Sequence, residues 1–352
     1  MIENLDSLGF ENNVFVPTYD KNIAVIKPND NVCVSECFNK WDRLVFDYKQ
    51  RKIIRAVEEN YDVKSFDLIH AYTLFTDGNC ARYLSEKYGV PYVVAVRNTD
   101  VNAFFAKMVH LRSRGIKTML GAEKVFFLSE AYRKQVFEKY VPEEYKKLLT
   151  DKTEILPNGI DDFWFENQPL SRSEPGETIR LVYAGRIDKN KNIPTTQKAM
   201  KLLREKGINA RLTVVGKIDD KSEFEKVKKD EFTEYQPAKP KEELIQTYRA
   251  NDIFVMPSFT ESFGLVYVEA MSQGLPVIYS KGQGFDGQFE NGKVGYAVKS
   301  DSAEEICEAV IKIINNYSAV SEACLQGAKR FNWCSIVNGY GRNYREIAEK
   351  ND

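Results

Sequence analysis

The most informative stretch of this chain is residues 256–277, MPSFTESFGLVYVEAMSQGLPV. Its pattern predicts a buried strand that ends at Pro257, a loop that carries Glu261, and a helix that ends at Gly274. Gly264, at the start of that helix, lets the backbone approach a ligand closely. This order of strand, glycine-containing loop and helix is typical of the edge of a parallel α/β sheet where ligands bind.

The loop and the start of this helix predict an anion site. The first N–H groups of a helix have no intrahelical acceptor and lie at the positive end of the helix dipole, which suits a diphosphate. Glu261 and Glu269 are eight positions apart, and because Glu261 lies in the loop, both can line one pocket. Carboxylates that accept two hydrogen bonds suit the vicinal hydroxyls of ribose and hexoses. Two glutamates at this spacing also arise by chance, so the surrounding residues decide between the interpretations.

A second cluster follows the predicted strand Ile179–Tyr183 and reads GRIDKNKNI over residues 185–193. Arg186 and Lys191 place two cations near one strand end, where Arg can hold a diphosphate in a bidentate fork and Lys can act as a point charge. A solvated basic loop is the alternative interpretation of this cluster taken alone. Gly216 is another glycine at a strand end and is a weak signal by itself.

Short apolar runs alternate with stretches of helical period along the whole chain. This pattern is typical of parallel sheets covered by helices on both faces. The strands predicted in the first half are Asn13–Pro17, Ile23–Ile26, Asp67–His70, Tyr92–Val96, Lys124–Leu128 and Glu154–Leu156. The strands predicted in the second half are Ile179–Tyr183, Ala210–Val215, Ile253–Met256, Pro276–Tyr279 and Gly295–Val298.

A segment without periodicity divides the alternation in two. Residues 166–177 are rich in Pro, Ser and charge and are predicted to be a linker. We therefore expect one α/β domain at 1–165, a second at 178–334, and a terminal segment at 335–352. Two such domains in series place a cleft between them, toward which the carboxyl ends of the strands face.

Charge and hydropathy exclude several classes of protein. The 352 residues include 50 Lys and Arg against 51 Asp and Glu, so the formal net charge is -1 and a dedicated nucleic-acid binder is excluded. The longest apolar run, Val90–Val96, is far shorter than the roughly 20 residues that span a bilayer, and the chain start lacks the basic residues of a secretory signal. We expect a cytoplasmic protein.

The six cysteines are sparse and scattered, which predicts reduced thiols rather than a disulfide framework. Cys33 and Cys37 are the only close pair. With only His70 and His110 besides, the chain lacks the usual donors of a four-ligand zinc site. We therefore expect no metal.

The motifs described above occur together in one known family. The sequence resembles the retaining glycosyltransferases of the "group 1" family, whose signature is an E-x7-E element such as Glu261 to Glu269. The segments 156–161, LPNGID, and 331–333, FNW, also match. The resemblance implies the GT-B fold, in which two Rossmann-like, doubly wound domains face a cleft and a C-terminal helix crosses back to the N-terminal domain.

The resemblance also implies a role for each matching residue. Arg186 and Lys191 would contact the diphosphate of a nucleotide-sugar donor. Glu261 would lie against the transferred sugar, and Glu269 would hold the ribose hydroxyls. The domain at 1–165 would face the acceptor, and the domain at 178–334 would bind the donor. The expected catalytic residues are Arg186, Lys191 and Glu261, and the expected donor-binding residues are Gly185, Gly216, Phe263, Gly264, Leu265 and Glu269.

No cofactor is expected beyond the nucleotide-diphosphate sugar as co-substrate. A departing nucleoside diphosphate needs its developing charge neutralised, and Arg186, Lys191 and the helix N-terminus supply positive potential without a metal ion. The Asp-x-Asp motif that anchors metal ions in many transferases does not occur at a predicted strand end.

The first domain departs from the family pattern in two places. Relatives often carry His-Gly where this chain has Arg97-Asn98, so Arg97 is a candidate donor to phosphate or sugar. His70 is either a site residue or a structural hydrogen-bond partner, and Asp100 either accepts from substrate hydroxyls or caps the following helix. At the start of the sequence we expect the family's usual first strand and its glycine-rich loop to be missing.

The expected function is the transfer of a hexose-type sugar from a nucleotide-diphosphate sugar to a glycan or lipid-linked acceptor in surface polysaccharide biosynthesis. A sugar-nucleotide epimerase of the same fold and a non-catalytic nucleotide-sugar binding or scaffold protein are the alternatives. Residues 104–117 mix bulky apolar and basic side chains. A core-facing stripe with a solvated basic face is the preferred interpretation, and weak peripheral contact with the inner membrane face or a lipid-diphosphate acceptor is the alternative.

Overall fold

The computed structural model describes residues 1–23 and 31–351. The chain folds into two compact units. The first contains residues 1–128, residues 133–156 and the chain from Val337 onward, and the second contains Ser129–Tyr132 and Pro157–Ile336.

Helices and strands alternate along both units. Up to residue 155 the elements are α1 (Ile2–Asp6), β1 (Val14–Thr18), β2 (Val32–Glu36), α2 (Phe46–Asn60), β3 (Ile69–Ala71), α3 (Asp77–Tyr88), β4 (Tyr92–Val96), α4 (Arg112–Gly121), β5 (Lys124–Phe127), α5 (Glu130–Lys139), α6 (Glu143–Lys152) and β6 (Thr153–Ile155). The remaining elements are α7 (Phe163–Glu166), β7 (Thr178–Ala184), α8 (Ile193–Glu205), β8 (Asn209–Val215), α9 (Lys221–Val227), β9 (Thr233–Gln236), α10 (Lys241–Arg249), β10 (Ile253–Met256), α11 (Leu265–Ser272), β11 (Val277–Ser280), β12 (Gly295–Val298), α12 (Ala303–Ile314), α13 (Tyr317–Ala328) and α14 (Trp333–Asn351).

The first unit is built on a parallel sheet with the strand order β3-β4-β5-β6. Ile69 lies opposite Tyr92, and Val93 lies opposite Lys124. All five residues of β4 are buried, as expected for a parallel strand covered on both faces. The strands β1 and β2 form a separate parallel pair.

The second unit contains a larger parallel sheet with the order β12-β11-β10-β7-β8-β9. The chain runs from β7 outward through β8 and β9, then returns to place β10 on the other side of β7 and continues through β11 to β12. The strand order therefore reverses between β7 and β10. In open α/β sheets ligands bind beside the carboxyl ends of the strands at such a reversal, so the loops after β7 and β10 form the expected site.

The last helix, α14, completes the first unit. Its Asn343 donates a hydrogen bond to Oε2 of Glu154 over 2.9 Å, and Arg342 forms an ion pair with the same carboxylate. The ring of Tyr344 packs edge-on against Phe10. The C-terminal helix thus returns to the N-terminal unit, as the family resemblance implies.

The helical period of residues 103–115 predicts one continuous helix there, and this prediction is wrong. The structure has a π-helical turn at Asp100–Phe105, a 3₁₀ turn at Val109–Leu111, and α4 only from Arg112. Phe105 and Leu111 are both buried, but each lies in its own turn, so the apolar pattern arises from separate anchor points rather than from one helix face.

Other differences concern strands. The strands β2 and β9 were not expected from the sequence, and both consist mostly of half-buried residues. The strand predicted at Ile23–Ile26 lies outside the described residues from position 24 onward, and Lys21–Ile23 forms a 3₁₀ turn. Within residues 1–23 and 31–351, no helix has both the length and the apolar character needed to cross a bilayer.

Candidate functional site

The carboxyl ends of β7 and β8 touch through backbone. Gly185, after β7, donates from its N–H to the carbonyl of Val215 over 2.9 Å. A Cβ atom on Gly216 would lie 1.7 Å from the carbonyl oxygen of Gly185. No side chain fits there, so the glycine that the sequence analysis selected is required by this close approach.

Gly264 is the N-cap of α11 and has a φ of +77°. A Cβ atom at this position would meet the ring of Tyr267 at 2.4 Å, so both backbone conformation and space favour glycine. The N–H groups of Phe263, Gly264 and Leu265 have no acceptor among the described residues. Three unpaired donors at a helix N-terminus are the geometry that binds an anion.

The loops after β7 and β10 are joined by Asn190. Its side-chain amide donates to the carbonyl of Thr260 over 2.8 Å, and its Oδ1 accepts from the N–H of Thr260 over 3.0 Å. The N–H of Phe259 also donates to the backbone carbonyl of Asn190 over 2.8 Å. These three bonds fix the spacing of the two loops. Sequence reasoning missed Asn190, because its partners lie about 70 positions away.

Because Asn190 holds the two loops together, Lys191 and Glu261 lie close enough to form an ion pair. Nζ of Lys191 lies 2.5 Å from Oε2 of Glu261, and the two side chains are only 12% and 9% exposed. The N–H of Ser262 donates to Oε1 of Glu261 over 3.0 Å, and the Ser258 hydroxyl lies 3.4 Å from Oε2. Asp188 accepts from the N–H of Lys191 over 3.1 Å and so closes the turn that presents this cation.

The main chain of Glu261 is held as firmly as its side chain. Its N–H donates to Oε1 of Gln283 over 3.0 Å. Its carbonyl accepts from the buried Tyr132 hydroxyl and from the N–H of Gly284. Neither Tyr132 nor the loop at 281–287, KGQGFDG, was singled out from the sequence. The glycine-rich run directly after a predicted strand was the available signal for that loop.

Arg186 lies on the same loop but is far more exposed. Its side chain is 66% exposed, and its guanidinium lies 3.4 Å from Asp219 and 4.0 Å from Asp188. The backbone carbonyl of Arg186 accepts from the Tyr183 hydroxyl over 2.5 Å. Burial raises the pKa of Tyr183, the charges of Asp188 and Glu261 raise it further, and Arg186 opposes them. Charges on both loops therefore influence the pKa of the Tyr183 hydroxyl.

Glu269 lies in different surroundings from Glu261. It is half-buried on α11, and its carboxylate forms no hydrogen bond or ion pair with the described residues. Burial, followed by the charge of Asp161, raises the pKa of Glu269 to about 7. The buried hydroxyl of Tyr248 also lacks a described partner, and its pKa is raised by burial and by Glu269. A carboxylate without protein partners is available to accept hydroxyl donors from a ligand.

In the first unit, His70 is enclosed by aromatic rings. Its Nδ1 lies 2.5 Å from the hydroxyl of Tyr344, and its ring stacks on Tyr72 at 4.7 Å. Burial, and to a smaller degree the charge of Arg97, lowers the pKa of His70 to about 3. His70 is therefore neutral and links the sheet to α14, and its Nε2 is buried without a described partner.

Arg97 and Asp100 organise the end of β4. Nε of Arg97 donates to the carbonyl of Tyr72 over 3.0 Å. The Asp100 carboxylate is 1% exposed and accepts from the N–H groups of Leu74, Phe75 and Arg97 at 2.8 to 3.1 Å. Burial raises the pKa of Asp100 to about 6, although these three hydrogen bonds act to lower it. Asp100 does not cap the turn that follows, whose N-cap is Thr99, and instead ties two loops together.

Comparison with known proteins gives these residues a context. The sequence model of the family described as "Glycosyl transferases group 1" matches residues 165–330. The chain is similar to the D-inositol 3-phosphate glycosyltransferase of Pseudarthrobacter chlorophenolicus, with 28% identity over 265 residues that cover 69% of this chain and 61% of that protein. It is also similar to the capsular polysaccharide biosynthesis glycosyltransferase CapM of Staphylococcus aureus, with 26% identity over 262 residues, 72% of this chain and 68% of that protein.

Solved structures show the same fold. Sucrose-phosphate synthase from Thermosynechococcus elongatus superposes with a TM-score of 0.75 at 19% identity, over 99% of this chain and 92% of that chain. HepE of Anabaena in complex with UDP superposes with a TM-score of 0.69 at 15% identity, over 96% of this chain and 100% of that chain. The aligned part of the chain spans about three fifths of the first curated relative. The fold is GT-B, and residues 165–330 match the sequence model of the group 1 glycosyl transferases.

Proposed function

We propose that this protein is a retaining glycosyltransferase that moves a hexose-type sugar from a nucleotide-diphosphate sugar to a glycan or lipid-linked acceptor. The observation that carries the proposal is the arrangement at the strand reversal of the second unit. There Lys191 contacts Glu261, and the unpaired N–H groups of residues 263–265 lie just beyond on the same loop. The match to the family model and the named relatives support the same reaction class.

The leaving group is a nucleoside diphosphate whose negative charge grows as the glycosidic bond breaks. Lys191, Arg186 and the N-terminus of α11 offer positive potential fixed before the reaction, so little reorganisation is needed in the transition state. Arg186 is exposed and bound only to surface carboxylates, so it can turn to a diphosphate at small cost. This positive potential is the reason for proposing a reaction without a bound metal.

Glu261 and Glu269 recognise hydroxyl groups in this proposal. Glu261 is fixed by Ser258, Ser262 and Lys191 and lies next to the anion site, where the transferred sugar would be attached. Glu269 keeps both carboxylate oxygens free of described partners, which suits the two ribose hydroxyls of the donor. Catalysis would then come from positioning and from stabilising the leaving group.

The names of two relatives support the proposed acceptor and setting. One relative is named as a glycosyltransferase of capsular polysaccharide biosynthesis and another as a D-inositol 3-phosphate glycosyltransferase, and both names suit a hydroxylated acceptor. We propose surface polysaccharide biosynthesis in the cytoplasm, at most in peripheral contact with the membrane.

The test is calorimetric titration with UDP-, GDP- and ADP-sugars, followed by turnover assays with glycan and lipid-linked acceptors in the presence of EDTA. The proposal expects one nucleotide class to bind, turnover that depends on acceptor, full activity in EDTA, and a product with the anomeric configuration of the donor. Conversion of the nucleotide sugar without an acceptor would identify an epimerase. Binding without any conversion would identify a scaffold protein.

A further inference from the structure

A cavity unrelated to the loops after β7 and β10 lies among α2, α3 and α4 of the first unit. It has a volume of about 620 Å³, and its lining includes five cationic side chains against two acidic ones, in a chain whose net charge is -1. We call this cavity the basic groove. Its cations are Arg51, Arg55, Arg82, Arg114 and Lys117.

The two acidic residues of the basic groove do not cancel this charge. Asp47 forms an ion pair with Arg114, and Glu58 accepts from Lys87, which lies outside the groove, over 2.7 Å. Arg51 and Lys117 are exposed and have no ion-pair partner among the described residues. Arg55 and Arg82 form ion pairs with Glu59 and Glu86, so the positive charge available to an anion is that of Arg51 and Lys117.

Gln50 lines the same groove with an unused donor. Its side chain is 2% exposed, and its Oε1 accepts from the amide of Asn79 over 2.9 Å and from the thiol of Cys80 over 3.1 Å. Its Nε2 is buried and has no acceptor among the described residues. Buried amide donors are normally paired, so the wall of the groove retains one hydrogen-bonding group that the protein itself does not use.

Exposed apolar side chains lie on α2 and on the segments just before α2 and α4, two of the helices that line the groove. In the segment just before α2, Trp41 and Leu44 are each 78% exposed and Val45 is 58% exposed, and Tyr48 in the first turn of α2 is 50% exposed. In the turn just before α4, Val109 is 62% exposed. Large apolar side chains exposed together in this way mark an interaction surface. We call these five residues the apolar rim.

Ring contacts join the two halves of the rim. Phe46, at the start of α2, packs edge-on against Phe104 with ring centroids 6.1 Å apart. Arg114 of α4 lies over the ring of Phe46 at 5.1 Å. The segments that carry the rim therefore lie side by side with the groove cations. Phe104 itself stacks on Phe75 and faces the core. Of residues 104–117, only Val109 therefore belongs to the apolar rim.

We propose that the basic groove binds phosphate groups of anionic phospholipids and that the apolar rim contacts the adjoining acyl region. Guanidinium groups pair well with phosphate oxygens, and exposed Trp, Tyr and Leu beside cations are typical of protein surfaces that lie on anionic bilayers. A free phosphate would bind in the groove but would make no contact with the apolar rim. The inference does not rest on the proposed glycosyl transfer.

The test is sedimentation with vesicles made of an equimolar mixture of phosphatidylglycerol and phosphatidylcholine, compared with vesicles of pure phosphatidylcholine. The groove variant is Arg51→Ser with Lys117→Ser. Its matched control, Lys64→Ser with Lys147→Ser, removes the same charge from two exposed lysines of the first unit that do not line the groove. A rim variant, Trp41→Ser with Leu44→Ser, tests the apolar contribution.

The full-length protein should bind the mixed vesicles and not the pure phosphatidylcholine vesicles. The groove variant should bind at least about tenfold more weakly, the rim variant should also weaken, and the control should match the parent protein. Equal binding by the groove variant and its control would overturn the proposal. Calorimetric titration with pyrophosphate that shows groove-dependent binding, together with absence of vesicle binding, would overturn the lipid assignment. An Arg186→Ala variant should bind vesicles normally, which separates this test from that of the proposed function.

Discussion

The ammonium group of Lys191 lies 2.5 Å from a carboxylate oxygen of Glu261, although 70 positions separate the two residues in the chain. The contact forms because their loops follow neighbouring strands, β7 and β10, at the point where the strand order reverses. Both side chains are mostly buried, so each neutralises a charge that would otherwise be costly to bury.

Removal of one partner should therefore destabilise the protein more than removal of both. We expect Lys191→Met alone to lower the free energy of unfolding by about 3 kcal/mol, because it leaves the Glu261 carboxylate buried and unpaired. The double variant Lys191→Met with Glu261→Gln should recover more than half of that loss. Denaturant unfolding of the four proteins of this double-mutant cycle measures the coupling. Additive effects of the two substitutions would contradict the account of the pair.

The Tyr132 hydroxyl should act as a positioning group for Glu261. Tyr132→Phe removes one of two donors to the Glu261 carbonyl and leaves the N–H of Gly284. We expect a stability loss of about 1 kcal/mol and a fall in kcat of about tenfold with little change in KM, because the loop shifts while the donor cations stay in place. Tyr145→Phe, which changes a hydroxyl far from this loop in sequence, is the control. Equal kcat values for the two variants would remove the positioning role.

The raised pKa of Glu269 predicts how protein stability and donor affinity change with pH. Its pKa is raised to about 7 in the folded protein, above the ordinary value of 4.5. Between these values the folded state holds a proton that the unfolded state has lost, so stability falls as the pH rises through this window. Donor affinity should change in the opposite direction, because the ionised carboxylate accepts ribose hydroxyls.

The measurement is donor binding and thermal unfolding from pH 5 to 8, with Glu269→Gln as the comparison. The Gln variant should lose both slopes and bind donor more weakly at pH 8. Parallel pH profiles for the two proteins would show that another group titrates.

The contribution of His70 to stability depends on pH in the opposite direction. Its pKa is lowered to about 3 from the ordinary value of 6.5, so the unfolded state binds the proton more readily between these values. Stability should therefore fall as the pH is lowered from 6.5 toward 3. In His70→Gln this contribution disappears, and the melting temperature should fall less steeply with acid than in the parent protein. An identical acid dependence would mean that His70 protonates without cost in the folded state.

The sequence predicted the elements whose signal is local. The strands β4, β10 and β12 have the predicted bounds, because short apolar runs between turn residues describe buried parallel strands well. The ion pair between Lys191 and Glu261 was not predicted, although both residues follow strands that the α/β pattern places in one sheet.

What the sequence did not predict depends on distant partners. Tyr132 reaches Glu261 from 129 positions away, and Asn190 joins two loops through bonds that no spacing rule describes. Asp100 was expected to cap a helix or bind substrate, yet its carboxylate is taken by N–H groups 25 and 26 residues earlier in the chain as well as by that of Arg97. Such choices among partners are made by tertiary packing, which one-dimensional patterns do not contain.

The central claim is that the loops after β7 and β10 bind the diphosphate of a nucleotide-sugar donor, and Arg186 tests it most directly. The exposed Arg186 side chain has only surface ion pairs, so Arg186→Ala should leave the free energy of unfolding within about 0.5 kcal/mol of the parent value. Calorimetric titration with the preferred nucleoside diphosphate should nevertheless show affinity reduced by about tenfold to a hundredfold, through loss of a charge-assisted hydrogen bond. Unchanged affinity in a fully folded Arg186→Ala protein would contradict the assignment of this site.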